Sequence, residues 1–270
     1  MENSNQRAKN TNFWVTLSTF QRWFLVIFVL ASIFSFISPV LMGQGWGSVF
    51  SLLGIIGLIC SVSGVIASIY QARAEIILYA FLLTNTVTYG WVSWENALYG
   101  QVIQNIILLL PIQIAGLIAW KRNLAKSDNK EIQIKKFTAK KWIITIIALI
   151  ICWGLYYLLL VNLPNIVSAI FGVTISPDAS PVMDSLTTVL TVMAMILTSL
   201  RYIEQWYFWI ICNIGVVLFI QSLFETTNIT SAIIVSDFSG MINWLQYGVG
   251  AIYGFYLWKK MYKKRQQSAQ

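Results

Sequence analysis

Long apolar runs separated by short polar breaks set the pattern of this chain. The runs lie near residues 22–42, 47–70, 76–94, 99–120, 141–162, 182–200, 205–224 and 238–258. Each holds about 20 residues, the length that carries a helix across a hydrocarbon core of ~30 Å. They predict an all-α integral membrane protein with eight transmembrane helices. Threading the chain through eight spans puts alternate breaks on opposite sides. All eighteen Lys and Arg residues then share one side: Arg7, Lys9, Arg22, Arg73, the segment from Lys121 to Lys141, Arg201 and the tail from Lys259 to Arg265. The other side receives Glu95, Asp178, Asp184, Glu225 and Asp237. Cytoplasmic loops carry the basic excess, so this sorting predicts both termini in the cytoplasm. Seven or nine spans would scatter the charges.

Composition narrows the class. Apolar residues make up 57% of the chain and charged residues 10%, against ~25% charged in ordinary soluble domains. The net charge of +8 is read as topology, not as a nucleic-acid footprint, because the basic residues cluster at span ends. The first run is too long for a signal-peptide core and is kept as a helix. Cys60, Cys152 and Cys212 are isolated, and the chain has no His. Metal sites, cofactors, disulfide frameworks and His-based catalysis are not expected. Every Asp and Glu falls in a break or near a span end, so a side-chain proton relay has no obvious members. A membrane-embedded enzyme would need a nucleophile, a metal site or an acid–base pair in the bilayer, and none is present in the runs.

An internal repeat underlies the runs. Arg73 and Asn85 are twelve residues apart, as are Arg201 and Asn213, 128 positions later. Asn105, Gly116, Trp120 and Lys121 match Asn243, Gly254, Trp258 and Lys259 at an offset of 138. Two three-helix units joined by an odd linker run the same way, which makes them parallel repeats about an axis along the membrane normal. The predicted plan is 1+3+1+3. An N-terminal tail and extra helix (1–46) precede the first three-helix repeat (47–120). A basic cytoplasmic loop and linker helix (121–162) and an outer loop (163–181) lead to the second repeat (182–258) and a basic cytoplasmic tail (259–270). Pro164, Gly172, Pro177 and Pro181 are read as breakers of the outer loop, and Pro111 as a kink in the fourth span.

In place of charge, the spans carry neutral amides and aromatics. Gln101, Gln104 and Asn105 stand at i, i+3 and i+4 and share a helix face; Asn243, Gln246 and Tyr247 repeat that spacing in the last helix. Asn85 and Asn213 sit near the middle of the third and seventh spans. An amide in hydrocarbon needs a partner. Either these amides bond across helices as structural glue, or they line a cavity for a polar ligand at the repeat interface. Trp91 and Trp94 end the third span and Tyr99 follows it, while Trp206 and Trp209 open the seventh. Trp206 is read as part of the aromatic belt at the headgroups. Trp94 and Trp209 are placed closer to the polar faces, where flat rings suit a ligand with an aromatic ring and amides suit a hydroxyl-rich part. Arg73 and Arg201 are read as interface anchors, paired with Glu75 and Glu204.

The motifs Trp91-Val-Ser-Trp94, Tyr99-Gly100-Gln101, Gln104-Asn105, Arg201-x-x-Glu204-x-Trp206-x-x-Trp209-x3-Asn213 and Asn243-Trp244-x-Gln246-Tyr247 resemble the PnuC family of bacterial nicotinamide riboside transporters. The resemblance covers residues from about 45 to 260, and the plan looks like that of the SWEET sugar transporters, whose fold the family shares. It implies a homotrimer in the bacterial inner membrane, in contact with lipid. It also implies uptake of nicotinamide riboside without an ion gradient and trapping by a cytoplasmic riboside kinase. Relatives carry thiamine or riboflavin, so another vitamin or a sugar is the alternative cargo. The substrate-binding residues expected on this reading are Trp91, Trp94, Tyr99, Gln101, Gln104, Asn105, Trp209, Asn213, Asn243, Gln246 and Tyr247. The basic loop and tail are read as topology signals, with contact to anionic lipid as the alternative.

Overall fold

The computed structural model of the chain describes residues 13–41, 43, 45–95, 99–127, 131–177, 180–213 and 231–268. The helices, in chain order, are α1 (Phe13–Thr16), α2 (Thr19–Leu41), α3 (Trp46–Val49), α4 (Leu52–Ala72), α5 (Leu78–Glu95) and α6 (Tyr99–Val102). A π-helical segment, Ile103–Leu109, leads into α7 (Leu110–Ala125), followed by α8 (Ala139–Phe171), α9 (Pro181–Ser199), α10 (Gln205–Cys212) and α11 (Ser231–Ser268). Among the described residues the sole extended pairing is an isolated bridge between Lys135 and Tyr202. Among the described residues, five helical stretches are long and apolar enough to cross a membrane: Thr19–Leu41, Leu52–Ala72, Gly100–Ala125, Ala139–Phe171 and Pro181–Ser199. The chain is an all-helical, multi-pass membrane protein. The predicted seventh span, 205–224, is described only through Asn213.

Burial separates the helices into centre and periphery. In Pro181–Ser199 61% of the apolar window is buried, against 11% in Ala139–Phe171 and 17% in Thr19–Leu41. The exposed surface of α8 carries Ile143, Ile147, Ile150, Ile151, Leu155 and Leu158, an apolar face suited to lipid tails. The packing is reciprocal. Helices α4, α5 and α7 form one trio, and α9, α10 and α11 form the other. The first helix of each trio also packs against the last helix of the other, α4 on α11 and α9 on α7. The lateral helices follow suit, α2 lying on α4 and α8 on α9.

The same turn ends the first helix of both trios. Arg73, Ala74 and Glu75 donate their amides to Ile69, Gln71 and Tyr70; Leu200, Arg201 and Tyr202 donate to Ile196, Thr198 and Leu197. Ala74 (φ 55°) and Arg201 (φ 66°) both take the left-handed conformation, which closes a helix end by reversing the chain. The backbone register is therefore 127, one less than the 128 that pairs Arg73 with Arg201. Ala74 is the structural counterpart of Arg201. The offset of 138 holds in the last helices: a Cβ on Gly116 would meet Tyr79 and Ser199, and a Cβ on Gly254 would meet the Trp206 ring. Tyr79 and Trp206 are themselves 127 residues apart.

Two breaks differ from the sequence pattern. Pro164 does not end the fifth helix, which continues to Phe171 and stops where Gly172 takes φ +66°. Leu163 and Val167 are buried with Leu160 and Val189, so packing against α9 sustains the helix past the lost hydrogen bond. At Pro111 the strain appears one turn earlier as the π segment, in which the Leu110 amide reaches back to the Asn105 carbonyl. Proline has no amide and crowds the preceding turn, and widening that turn accommodates both effects.

Candidate functional site

Beneath the turns lies a cavity shared by the two trios. Helix α4 contributes Gly64, Ala67, Ser68 and Gln71, spaced i, i+3, i+4 and i+7, a small-and-polar stripe on one face of an apolar helix. Leu82 and Asn85 come from α5, Trp206 and Trp209 from α10, and Tyr247, Gly250 and Ala251 from α11. The missing side chain at Gly64 lets the wall close. Its Cβ position lies 3.0 Å from Asn85 Nδ2 and 3.1 Å from the Tyr247 hydroxyl. None of the lining residues is charged. The enclosed space is ≈ 30 Å³, enough for a water or two and far below the ~300–1,000 Å³ of a ligand pocket.

A buried polar knot closes the cavity on the side of the turns. Gln71 Nε2 donates to Thr198 Oγ1 (3.3 Å) and to Gln205 Oε1 (3.0 Å). Trp258 Nε1 donates to the Gln71 carbonyl (2.9 Å) and Trp120 Nε1 to the Thr198 carbonyl (3.0 Å). Gln71 and Thr198 are 127 residues apart, and the two indoles that bond their carbonyls are 138 apart. Each trio's last helix thus bonds to the other trio's first helix, and the two sets of contacts meet at Gln71 and Thr198. Trp209 Nε1 adds a longer bond to Thr198 Oγ1 (3.4 Å). Each buried partner removed here would leave another unsatisfied, at ~1–3 kcal/mol.

The expected site residues fall into three groups. Trp209 and Tyr247 line the cavity. Asn213 and Gln246 are not among its lining residues: a Cβ on Gly248, next to the lining Tyr247, would lie 3.0 Å from the Asn213 amide, and Asn213 Oδ1 and Gln246 Nε2 are buried without a partner among the described residues. Gln101, Gln104 and Asn105 gather elsewhere, in and before the π segment. Thr188 Oγ1 donates to Gln104 Oε1 (3.0 Å), and Asn105 Nδ2 donates to the Gln101 carbonyl (2.8 Å). Asn213 Nδ2 makes the same bond one turn back, to Trp209 O (2.7 Å). Trp91 and Trp94 are 51% and 60% exposed and do not line the cavity. The side chains of Tyr99 and Asn243 lie outside the described residues.

Sequence reasoning placed Trp206 in a headgroup belt. It is 3% exposed, because Gly254 leaves a notch for its ring, and its Nε1–H has no partner among the described residues. Gln71, Ser68 and Gly64 were missed, although their helical spacing marks one face. The pairing of Arg201 with Glu204 is also replaced. Arg201 Nε and Nη1 donate to the carbonyls of Gln133 and Ala119 (3.3 and 3.2 Å), and burial lowers its guanidinium pKa. Arg73 does pair with Glu75 (2.5 Å), at the surface.

The sequence model of a family described as "Nicotinamide mononucleotide transporter" matches residues 54–260. The nicotinamide riboside transporter PnuC of Haemophilus influenzae is 28% identical over 246 residues, covering 91% of this chain and 92% of that protein. PnuC of Neisseria mucosa is 24% identical over 210 residues, covering 76% and 72%. The fold is similar to that of a crystal structure of the vitamin B3 transporter PnuC, with a TM-score of 0.66 at 21% identity, covering 94% of this chain and 99% of that one.

Proposed function

This chain belongs to the nicotinamide mononucleotide transporter family, and from that premise we propose that it imports nicotinamide riboside by facilitated diffusion. The observation that carries the reading is the uncharged cavity between the trios, walled by Trp206, Trp209 and Tyr247 on one part and by Asn85 and Gln71 on another. A pyridinium cation gains ~2 kcal/mol against a desolvated aromatic face, while amides bond a ribose. A carboxylate would hold the cation more tightly than passage allows. The site proposed here keeps Trp209, Tyr247, Asn213 and Gln246 from the sequence reading and adds Trp206, Asn85 and Gln71. Gln101, Gln104 and Asn105 brace the bend before Pro111. Trp91 and Trp94 serve as interface aromatics.

In this reading the chain crosses the inner membrane eight times in two parallel repeats, with both termini and the basic loops in the cytoplasm. The reciprocal trio packing and the shared turns support the repeats. The common end is supported by Arg73 bonding Thr16, Arg201 bonding Gln133 and Arg265 pairing with Glu131, which gathers the basic breaks at one side. The exposed faces of α2 and α8 meet lipid and, in a homotrimer, neighbouring copies. Transport follows from rocking one trio against the other, which widens a cavity too small in its present form for the substrate. A cytoplasmic riboside kinase then traps the product.

The deciding experiment is uptake of labelled nicotinamide riboside into proteoliposomes containing only this protein, with no ion gradient. Saturable uptake that stops at equal concentrations supports the reading. Binding without uptake would show that a coupling ion or partner is needed. Stronger competition by thiamine, riboflavin or glucose than by the riboside would move the substrate. A finer prediction concerns Gly64. Alanine there crowds Asn85 and Tyr247, which must give by a few tenths of an ångström. Gly64→Ala is expected to weaken riboside binding several-fold while the protein stays folded, as read by equilibrium binding and size-exclusion profile.

A further inference from the structure

The basic segment between α7 and α8 is built, at residues 131–137, as an extended strap. Glu131, Gln133 and Lys135 are exposed, and Ile132 and Ile134 are buried at 4% and 9%, the two-residue alternation of a strand. The Lys135 amide donates to the Arg201 carbonyl (2.8 Å), and the Ile203 amide returns a bond to the Lys135 carbonyl (3.0 Å). The Phe137 amide donates to Glu204 Oε1 (2.9 Å). Asn123 Oδ1 accepts from the Gln133 amide (2.9 Å), and Arg265 pairs with Glu131 (3.1 Å). The strap therefore touches both trios: Asn123 ends α7, whereas Arg201, Ile203, Glu204 and Arg265 belong to the other unit. Its two isoleucines join the same packed cluster as Trp120, Trp206 and Trp258, and Trp206 is also a wall of the cavity.

A segment that bridges the two trios at one end must yield if they part there. Its backbone pairing to the other unit is a single isolated bridge with no flanking strand among the described residues, and Glu204, 3% exposed, leaves Oε2 without a partner among the described residues. The matching turn of the first trio, at Ala74, carries no such bridge among the described residues; it is flanked instead by Thr16, which accepts from Arg73 (3.2 Å), and by Phe13, whose ring lies tilted against Tyr70. We propose that the 131–137 strap is the latch of the basic-side gate. It peels from the Arg201–Glu204 turn to let the cavity open to that side, and it reseals behind the cargo. The proposal rests on the transport reading but not on the identity of the cargo.

The test locks the strap and reads access to the cavity without any substrate. Lys135 and Tyr202 face one another across the bridge, with the Lys135 Nζ 5.6 Å from the Tyr202 ring, so Lys135→Cys with Tyr202→Cys forms a disulfide in reach. A third change, Ser68→Cys, places a reporter thiol in the cavity wall. In vesicles with the basic face outward, a membrane-impermeant maleimide should modify residue 68 at least tenfold more slowly in the oxidised protein than after phosphine reduction. Equal rates would overturn the latch. Glu204→Ala, combined with Ser68→Cys alone, needs no crosslink. It removes the Phe137 anchor and should speed modification at least threefold; an unchanged rate there also overturns the proposal. Failure of riboside uptake with normal strap behaviour would count against the cargo only.

Discussion

Leucine at Gly254 is expected to abolish transport and to lower the melting temperature of the purified protein by about 6–12 °C. The first carbon of any side chain at 254 already overlaps the six-membered part of the Trp206 ring. Away from the cavity that ring is blocked. It stands edge-on to Trp258 at 5.8 Å between centroids, and Trp258 in turn packs on Trp120 at 6.3 Å. Overpacking of this kind costs ~3 kcal/mol or more when the neighbours are themselves locked. Gly116→Leu should behave alike, since it meets Tyr79 and Ser199 at the corresponding place. Gly57→Leu and Gly154→Leu are the controls. They have open space around the Cβ position and should melt within about 2 °C of the parent, because surface changes away from special features stay small. A thermal melt followed by tryptophan fluorescence in detergent reads all four. Equal losses at the four positions would mean that helix glycine content matters and the notches do not.

Much of the architecture was legible because a bilayer leaves few choices. Apolar length marked where the described helices run, and Gly116/Gly254 and Trp120/Trp258 marked matching tight contacts of the two trios. Three things were not legible, each for a physical reason. The register of the turns slips by one, because a left-handed residue can be Ala or Arg when the surrounding hydrogen bonds hold it. The run through Pro164 looked like a loop because proline is a breaker in water, whereas packing on α9 carries the helix onward. The strap was read as part of a charged loop because the Lys and Arg residues of the surrounding 121–141 segment set its composition. The alternation Glu131-Ile132-Gln133-Ile134-Lys135 was its signal. For the cavity, the aromatic positions were easier to find than the α4 stripe. Gly64, Ala67, Ser68 and Gln71 stand out only when the small residues of an apolar helix are placed on its wheel.

The reciprocal packing makes the two walls of the cavity comparable, and their difference has a consequence for binding. At the shared register of 127, Trp209 corresponds to Leu82, and both line the cavity. One wall thus offers an indole where the other offers an aliphatic chain. A ligand with an aromatic cation at one end and a sugar at the other has a preferred orientation in such a space, ring toward Trp209. Trp209→Ala is therefore expected to weaken nicotinamide riboside binding about 30-fold, the equivalent of a desolvated cation–π contact of ~2 kcal/mol. Leu82→Ala should cost only a few-fold, and Trp209→Phe should fall between them, since phenyl keeps a weaker face. Truncation at 209 also frees Thr198 Oγ1 of a long hydrogen bond, but Thr198 keeps Gln71 and Gln205 as partners, so the knot should hold and the protein should stay folded. Isothermal titration with the riboside, and with a neutral ring analogue of similar size, separates charge from shape. The Trp209→Ala loss should shrink for the neutral analogue. A larger loss at Leu82 than at Trp209 would place the ring against the opposite wall.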